Sequence, residues 1–255
     1  MKAAGVPTAE IAAYLDEYLQ IASIRDWKNA LNGLQVANSG SVHRVAAAVD
    51  ASEQTIDAAI ERGCDLLLVH HGLFWAGNRP VTGSRYRRLR ALIAHDVAVY
   101  GAHLPLDVHP DVGNNALLAR ALGLVPSGTF ASHEGRDIGI TATCDRTRAD
   151  LVSALERELG GAVRLIAGGP ERVRRVGVLT GSGGSAIGEA VAADLDTLIT
   201  GEGSHHTFVD AMEEGLNVLY GGHYATETFG VRALAALLRD RFGLEWDFID
   251  APSGM

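Results

Sequence analysis

The sequence contains little cysteine and no long apolar run. Only Cys64 and Cys144 occur, without a C-x-x-C spacing, so neither a disulfide framework nor a thiolate metal site is indicated. No uninterrupted apolar stretch reaches the ~18 residues of a membrane span, and the N-terminal residues run into an amphipathic pattern rather than an apolar signal sequence. We therefore expect a cytoplasmic protein that is neither exported nor inserted into a membrane.

An excess of positive charge is also absent. Lys and Arg number 22 against 31 Asp and Glu, which gives a formal net charge of -9 and a pI near 5.5. Duplex nucleic acid is therefore disfavoured as the main partner, and a small-molecule substrate in its own pocket is expected instead. A chain of 255 residues with 47% hydrophobic content can bury one substantial core or two lobes.

Short apolar runs alternate with helical stretches in both halves of the chain. The runs are 45–49, 65–69 and 97–100 in the first half, and 176–179, 197–200 and 217–220 in the second. Helical stretches lie between them, near 53–62, 85–95, 184–193 and 205–214, and an amphipathic helix over Ile11–Leu19 precedes them. This pattern predicts βαβαβ units whose mostly parallel strands are buried on both faces.

The two halves also resemble each other locally. Arg44–Ser52 matches Arg175–Ser182 in register, which predicts two related α/β lobes, 1–124 and 125–255, with Gly123–Gly128 as the connector. The alternative is that any two α/β units share such patterns by default. Both interpretations place the functional site beyond the carboxyl ends of the strands.

Ligand-type side chains follow three of the predicted strands. Tyr100–Asp107 and Tyr220–Glu227 both read Tyr-Gly-x-His with a carboxylate four residues after the histidine, and His70-His71 end a third apolar run. Six imidazoles and carboxylates at strand ends suit two divalent ions. This donor mix favours Zn, Fe, Mn, Co or Ni, and a pair of such ions activates water.

The positions of these side chains suggest how two ions would be shared. His70 and His71 are adjacent in a strand, so we expect them to point to opposite sides, one toward each ion. Glu227 lies four residues after His223 at the predicted start of a helix, where both share a face, and a carboxylate such as Glu227 or Asp107 has two oxygens with which to bridge. The alternative for His70-His71 is a polar pair that merely ends a strand.

Three further features allow both a functional and a structural interpretation. Gly181–Ala186 lies between a strand and a helix, where it can form either an anion-binding nest or an ordinary turn. Arg85–Arg90 carries four arginines, which can form either a phosphate-contacting rim or a solvated helix face. Trp75 follows the histidine pair, where it can stack on a planar ligand or cover the core.

Three polar side chains near the end of another strand are candidates for a supporting role. The run 197–200 is followed by Glu202, His205 and His206. These side chains can form hydrogen bonds to metal-coordinating residues or transfer protons. A half-exposed position without a functional role is the alternative for the histidines.

Together, five motifs resemble the NIF-three-like dinuclear-metal-centre family, many members of which carry the name GTP cyclohydrolase 1 type 2. The resemblance covers nearly the whole chain. The motifs are Asn32–Val36, Leu68–Gly72, His103–Asp107, Thr200–Glu202 and Gly222–Glu227.

The resemblance implies a two-lobed α/β fold with a dimetal site in the cleft between the lobes. It implies that His71 and Asp107 coordinate one metal ion and that His70 and His223 coordinate the other. Glu227 would then bridge the two ions. His103 would then be an acid–base group, or it would form a hydrogen bond to one of the metal-coordinating side chains. A homo-oligomer, a hexameric toroid, is also implied, without the inserted middle domain that some members have.

The chemistry that follows is a dinuclear-metal-dependent hydrolase in which His103 or His206 moves protons. With GTP as the substrate, attack at C8 of the imidazole ring would open the ring and release formate. The alternative is a metal-binding oligomeric regulatory or scaffold protein without turnover. A third hypothesis, a phosphodiesterase or nuclease that acts on single strands, suits the metals but not the acidic charge.

Overall fold

The computed structural model describes residues 5–75 and 77–254, which divide into two compact units. Unit 1 comprises the residues up to Leu106 together with Gly230–Ala251, and unit 2 comprises Asp107–Phe229 with the C-terminal residues from Pro252. The units differ from the predicted lobes 1–124 and 125–255 because the last strand pairs within unit 1 and the segment 107–124 packs in unit 2.

The strands are numbered in chain order. They are β1 (Val6–Pro7), β2 (Gly33–Val36), β3 (Ser41–Val42), β4 (Arg44–Asp50), β5 (Leu66–His71), β6 (Ala98–Gly101), β7 (Val125–His133), β8 (Arg136–Thr147), β9 (Arg164–Ala167), β10 (Arg172–Leu179), β11 (Thr197–Thr200), β12 (Asn217–Tyr220) and β13 (Glu245–Phe248).

The helices are numbered in the same way. They are α1 (Thr8–Tyr18), α2 (Glu53–Glu61), α3 (Gly83–Ala94), α4 (Leu104–Asp107), α5 (Asn114–Ala121), α6 (Arg148–Leu159), α7 (Ile187–Ala192), α8 (His206–Glu213), α9 (His223–Thr226) and α10 (Thr228–Phe242), and a 3-10 helix covers Gly183–Ala186. The described helices are all too short or too polar to span a lipid bilayer.

Unit 1 is built on a mostly parallel sheet with the strand order β13-β4-β5-β6-β2. Strands β13, β4, β5 and β6 run parallel, and only β2 is antiparallel to its neighbour. The alanines and leucines of the central strands are fully buried on both sides of the sheet, as a parallel sheet between helices requires. The predicted βαβαβ order is confirmed here by β4, α2, β5, α3 and β6.

The N-terminus of α2 fixes the chain directly after β4. The Ser52 hydroxyl accepts a hydrogen bond from the Thr55 amide at 3.1 Å, and the Thr55 hydroxyl accepts one from the Ser52 amide at 2.9 Å. This reciprocal capping satisfies two amides that the first helical turn leaves without partners. It thereby fixes the backbone next to Asp50, the last residue of β4.

Unit 2 contains a mixed sheet with the strand order β7-β8-β10-β11-β12-β9. Its centre, β10-β11-β12, is parallel and repeats the order of β4-β5-β6, whereas the flanking strands are antiparallel. Alternate residues pack into separate clusters on the two faces, with Ile199 and Leu219 in one and Leu198 and Val218 in the other. Both faces of the central strands are therefore buried.

The segment Gly123–Gly128 is not the connector that the sequence predicted. Strand β7 already begins at Val125 and pairs antiparallel with β8, with a register irregularity between Pro126 and Gly128. Pro126 is tolerated because β7 is an edge strand, which leaves its outer backbone groups unpaired.

Candidate metal centre

Three imidazoles of unit 1 converge at one edge of the sheet. His70 and His71 are the last residues of β5, and His103 follows β6 by two positions. Because β5 and β6 are parallel neighbours with Val69 opposite Gly101, their carboxyl ends meet at the same edge. One ligand nitrogen from each imidazole lies within 4.8 Å of the others, so the three can hold a metal ion.

His70 and His71 do not point to opposite sides, contrary to the prediction. Their ring centroids are 4.7 Å apart with an interplanar angle of 44°. The His70 ring is bound to the backbone of Ala102 beyond β6, whereas the His71 ring is bound to Asp50 at the end of β4. At the last residues of the strand both rings therefore extend past the sheet edge instead of standing on its two faces.

Each imidazole of the cluster contacts an acceptor through Nδ1. The distances are 2.9 Å from His70 to the Ala102 carbonyl, 2.9 Å from His71 to the Asp50 carboxylate and 2.8 Å from His103 to the Asp26 carboxylate. Since a carbonyl and an ionised carboxylate only accept, each Nδ1 donates and the neutral ring carries its lone pair on Nε2. Metal-binding histidines in proteins are held in this way.

Asp26 is the more enclosed of the two carboxylate acceptors. Its side chain is 5% exposed, and it accepts hydrogen bonds from His103 and Asn32 and from the amides of Trp27 and Leu104. Burial alone would raise the pKa of Asp26, but the hydrogen bond and charge of His103, together with the other donors, lower it below its usual value. Asp26 is therefore a carboxylate at neutral pH.

In unit 2, His223 contacts two carboxylates. Its Nδ1 lies 2.7 Å from Glu202 and its Nε2 lies 3.1 Å from Oε2 of Glu227, which is 3% exposed. The hydrogen bond with Glu227 is the main cause that raises the pKa of His223 to about 9, against the opposing effect of burial. The raised pKa favours the protonated imidazole of His223 at neutral pH, beside the carboxylate of Glu227.

Glu227 lies between two helices and not inside the first turn of one. It follows α9 and precedes α10, and its amide donates to the Tyr224 carbonyl at 3.2 Å. The predicted proximity of positions i and i+4 nevertheless holds, because α9 is one helical turn that begins at His223.

A glycine leaves room for the Glu227 carboxylate. Gly181 follows β10 with φ of +69°, and a side-chain carbon at this position would collide with Oε1 of Glu227 and lie 3.3 Å from Nε2 of His223. Positive φ also disfavours other residues. The βα turn is therefore shaped around the carboxylate.

The same turn is not an anion nest in the way the sequence suggested. The amide of Gly181 donates to Thr226, that of Gly183 to Thr200 and that of Gly184 to the Glu202 carbonyl. These three donors are satisfied inside the protein, so the interpretation as an ordinary turn applies to them.

Two predicted site residues stand apart from these groups. Asp107 is buried at the end of α4 and accepts a hydrogen bond from Asn114 at 2.8 Å, which orients the carboxylate. His206 is exposed at the first residue of α8. Among the described residues, neither belongs to the groups of His, Cys, Asp and Glu side chains whose ligand atoms converge within 4.8 Å.

Trp75 lies against the cluster of unit 1. Its ring meets that of His103 edge-on at 4.6 Å between centroids and that of His71 at 5.6 Å. The half-buried indole therefore packs beside these two imidazoles.

The arginines of α3 make intramolecular contacts. Arg87 forms two hydrogen bonds with Glu53, Arg88 donates to the Ala51 carbonyl, and Arg85 donates to the Arg79 carbonyl. These contacts favour the structural interpretation over a phosphate-binding rim.

Asp26 and Asp50 are the site residues that the sequence analysis missed. Asp50 ends a parallel strand next to β5 and lies opposite His71 in the sheet register, so the rule that placed the histidines at strand ends would also have found it. Asp26 lies in an irregular segment after α1, where no periodic pattern indicates its position.

The side chains fit a divalent transition metal. Imidazole nitrogens with a fixed tautomer and carboxylates, without a thiolate, are the donor set of Zn, Fe, Mn, Co or Ni sites. The model of the Duf34/NIF3 (NGG1p interacting factor 3) family matches residues 6–253. The chain belongs to this family.

Similar proteins extend over the same length. A Deinococcus radiodurans protein named GTP cyclohydrolase 1 type 2 homolog is 47% identical over 248 residues, 96% of this chain and 94% of that protein. A crystal structure of a Thermus thermophilus protein has a TM-score of 0.89 and 41% identity, covering 98% of this chain and 100% of its own. Another solved structure, of a protein described as of unknown function, has a TM-score of 0.91 and 38% identity with the same coverage.

Proposed function

We propose that the chain is a dinuclear-metal-dependent hydrolase. The proposed ligands are five side chains: His70, His71, Asp107, His223 and Glu227. In this proposal Glu227, with two carboxylate oxygens, would help to hold both ions, and His103 would transfer protons. The observation that carries it is that an acceptor contacts Nδ1 of His70, His71, His103 and His223, while Nε2 of His223 faces the carboxylate of Glu227.

Two bound divalent ions would supply Lewis acidity and lower the pKa of a water ligand. The protein supplies orientation and proton transfer. Asp50 and Glu202 hold the imidazoles of His71 and His223 in place, so that little freedom is lost when the site forms. His103 lies 4.9 Å from His70 between ring centroids and can take a proton from the attacking water through Nε2.

GTP is the first substrate to test, because relatives at 40–47% identity carry the name GTP cyclohydrolase 1 type 2 homolog. In that reaction water adds to C8 of the imidazole ring, the bond from C8 to N9 breaks, and a second water releases C8 as formate. The indole of Trp75 provides an aromatic surface beside the imidazoles on which a purine can pack.

The proposal is tested by turnover of the metal-loaded protein and of Glu227→Gln. GTP, simple phosphoesters and cyclic amides are the substrates, and Glu214→Gln, an exposed position at the end of α8, is the matched control. We expect Glu227→Gln to lose at least 100-fold in kcat while its circular dichroism is unchanged, since an amide cannot replace an anionic ligand. Glu214→Gln should match the wild type.

Turnover that survives Glu227→Gln would contradict the proposal. A chain that binds metal but turns over none of these substrates would support the alternative, a metal-binding regulatory or scaffold protein.

A further inference from the structure

We propose that Asp26 is the positioning residue of His103: it fixes the ring with Nδ1 protonated, so that Nε2 presents the lone pair that accepts a proton from water. This inference deepens the proposed hydrolase function and rests on it. The experiment below reads the state of the His103 ring directly, so its outcome does not depend on finding the substrate.

Four hydrogen-bond donors surround the Asp26 carboxylate. Oδ1 accepts from the His103 ring at 2.8 Å and from the Trp27 amide at 2.6 Å. Oδ2 accepts from the Asn32 side chain at 2.8 Å and from the Leu104 amide at 3.0 Å. Four donors around a carboxyl group that is 5% exposed favour its ionised form, which only accepts hydrogen bonds.

Asn32 links the carboxylate to the backbone of His103. Its amide nitrogen donates to Asp26, and its oxygen accepts from the His103 backbone amide at 2.7 Å. His103 is therefore held at both its main chain and its ring, which gives a physical role to the first residue of the Asn32–Val36 motif. His71, by contrast, relies on Asp50, whose side chain is 44% exposed.

The arrangement suits a base that becomes charged during the reaction. As the water oxygen bonds to the electrophilic carbon, its proton passes to Nε2 of His103, and the ring becomes an imidazolium. The buried carboxylate of Asp26 stabilises this cation through Nδ1–H, and the proton then passes from Nε2 to the leaving nitrogen. Neither Asp26 nor His103 changes its net protonation over a cycle.

Asp26→Asn tests the role of the carboxylate with almost no change of shape. An amide has one oxygen and one NH2 group, so either orientation places NH2 against two of the four donors. With NH2 toward His103, the ring must accept through Nδ1 and carry its proton on Nε2, which cannot then act as a base. The matched control is Asp50→Asn, which removes the corresponding contact from His71 at 2.9 Å.

The measurement is nitrogen-15 NMR of the histidine side chains in zinc-loaded protein. We expect His103 of the wild type to show a protonated Nδ1 and an unprotonated Nε2 that does not bind zinc. In Asp26→Asn we expect the proton on Nε2 in at least half of the molecules, with unchanged zinc content, whereas Asp50→Asn should leave His103 as in the wild type.

Three results would overturn the inference. These are a wild-type His103 protonated at Nε2, an Nε2 shift that shows zinc ligation, and an Asp26→Asn variant whose His103 keeps the wild-type state. Where Asp26→Asn fails to fold, the wild-type spectrum alone decides between the two protonation states.

A kinetic comparison follows once a substrate turns over. Asp26→Asn should lower kcat by about 10²- to 10⁴-fold with KM changed less than threefold, as loss of a correctly oriented base requires. A rise in KM at constant kcat would mean that Asp26 serves substrate binding and would overturn the inference.

Discussion

At the scale of single residues, the partner of Nδ1 determines what each imidazole of the site can do. His70 has a backbone carbonyl as its partner, and His71, His103 and His223 have carboxylates. A carboxylate raises the basicity of the opposite nitrogen, whereas a carbonyl mainly orients the ring. Of the three carboxylates that contact Nδ1, Asp26, the partner of His103, is the most deeply buried. His103 is therefore a better candidate for proton transfer than the exposed His206.

The paired His223 and Glu227 predict a pH dependence of the metal-free protein. The pKa of His223 is raised from 6.5 to about 9 in the folded state. The ion pair of His223 and Glu227 therefore contributes fully to the stability of the folded state below pH 6.5. This contribution is lost as the pH rises through about 9. Chemical denaturation should show that Glu227→Gln costs on the order of 1–3 kcal/mol at pH 6.5 and much less at pH 9.5.

The matched control is Glu214→Gln at an exposed position, whose effect on stability should be small and equal at both pH values. A cost of Glu227→Gln in the metal-free protein that grows with pH would contradict this interpretation of the pair.

The sequence predicted the strand-end histidines but not their mutual orientation. A period of two correctly describes side chains inside a strand, yet His70 and His71 occupy its last two residues, where partners on the neighbouring strands draw both rings past the edge. Asp26 was not predictable, because its position depends on four hydrogen bonds from different segments and on no local pattern.

At the scale of elements, the parallel cores were predictable and the antiparallel flanks were not. Runs such as 197–200 and 217–220 became β11 and β12 without a shift, since continuous apolar strands between helices have a clear signature. Most residues of β7, the first strand of the hairpin β7-β8, are exposed, and a proline and a glycine near its start resemble a loop. Tertiary pairing with β10 overrides that local preference.

The turn after β10 provides a test at this scale. Gly181→Ala places a side-chain carbon against Oε1 of Glu227 at a positive φ, so we expect at least a tenfold loss of zinc affinity, measured by competition with a chromogenic chelator. The control Gly188→Ala lies on an exposed helical position with open space around it. It should leave zinc affinity unchanged and stabilise the protein by about 0.5–1 kcal/mol.

Wild-type zinc affinity in both Gly181→Ala and Gly188→Ala would show that the turn does not shape the site. A loss of affinity in both would indicate a general effect on unit 2.

At the scale of the whole molecule, the two units carry different parts of the proposed ligand set. Unit 1 presents three imidazoles, and unit 2 presents one imidazole with buried carboxylates. The formal charge of -9 supports uptake of cations more than of nucleic acid. The hexameric ring and the cytoplasmic location implied by the sequence stay predictions.

The number of metal ions bound per chain is the most direct test of the dinuclear centre. Elemental analysis of protein purified without chelator or affinity metal measures this number. We expect about two divalent transition-metal ions per chain and a sharp fall in Glu227→Gln but not in Glu214→Gln. A wild-type chain that binds no transition metal, even after incubation with zinc, iron, manganese, cobalt and nickel, would contradict the dinuclear centre.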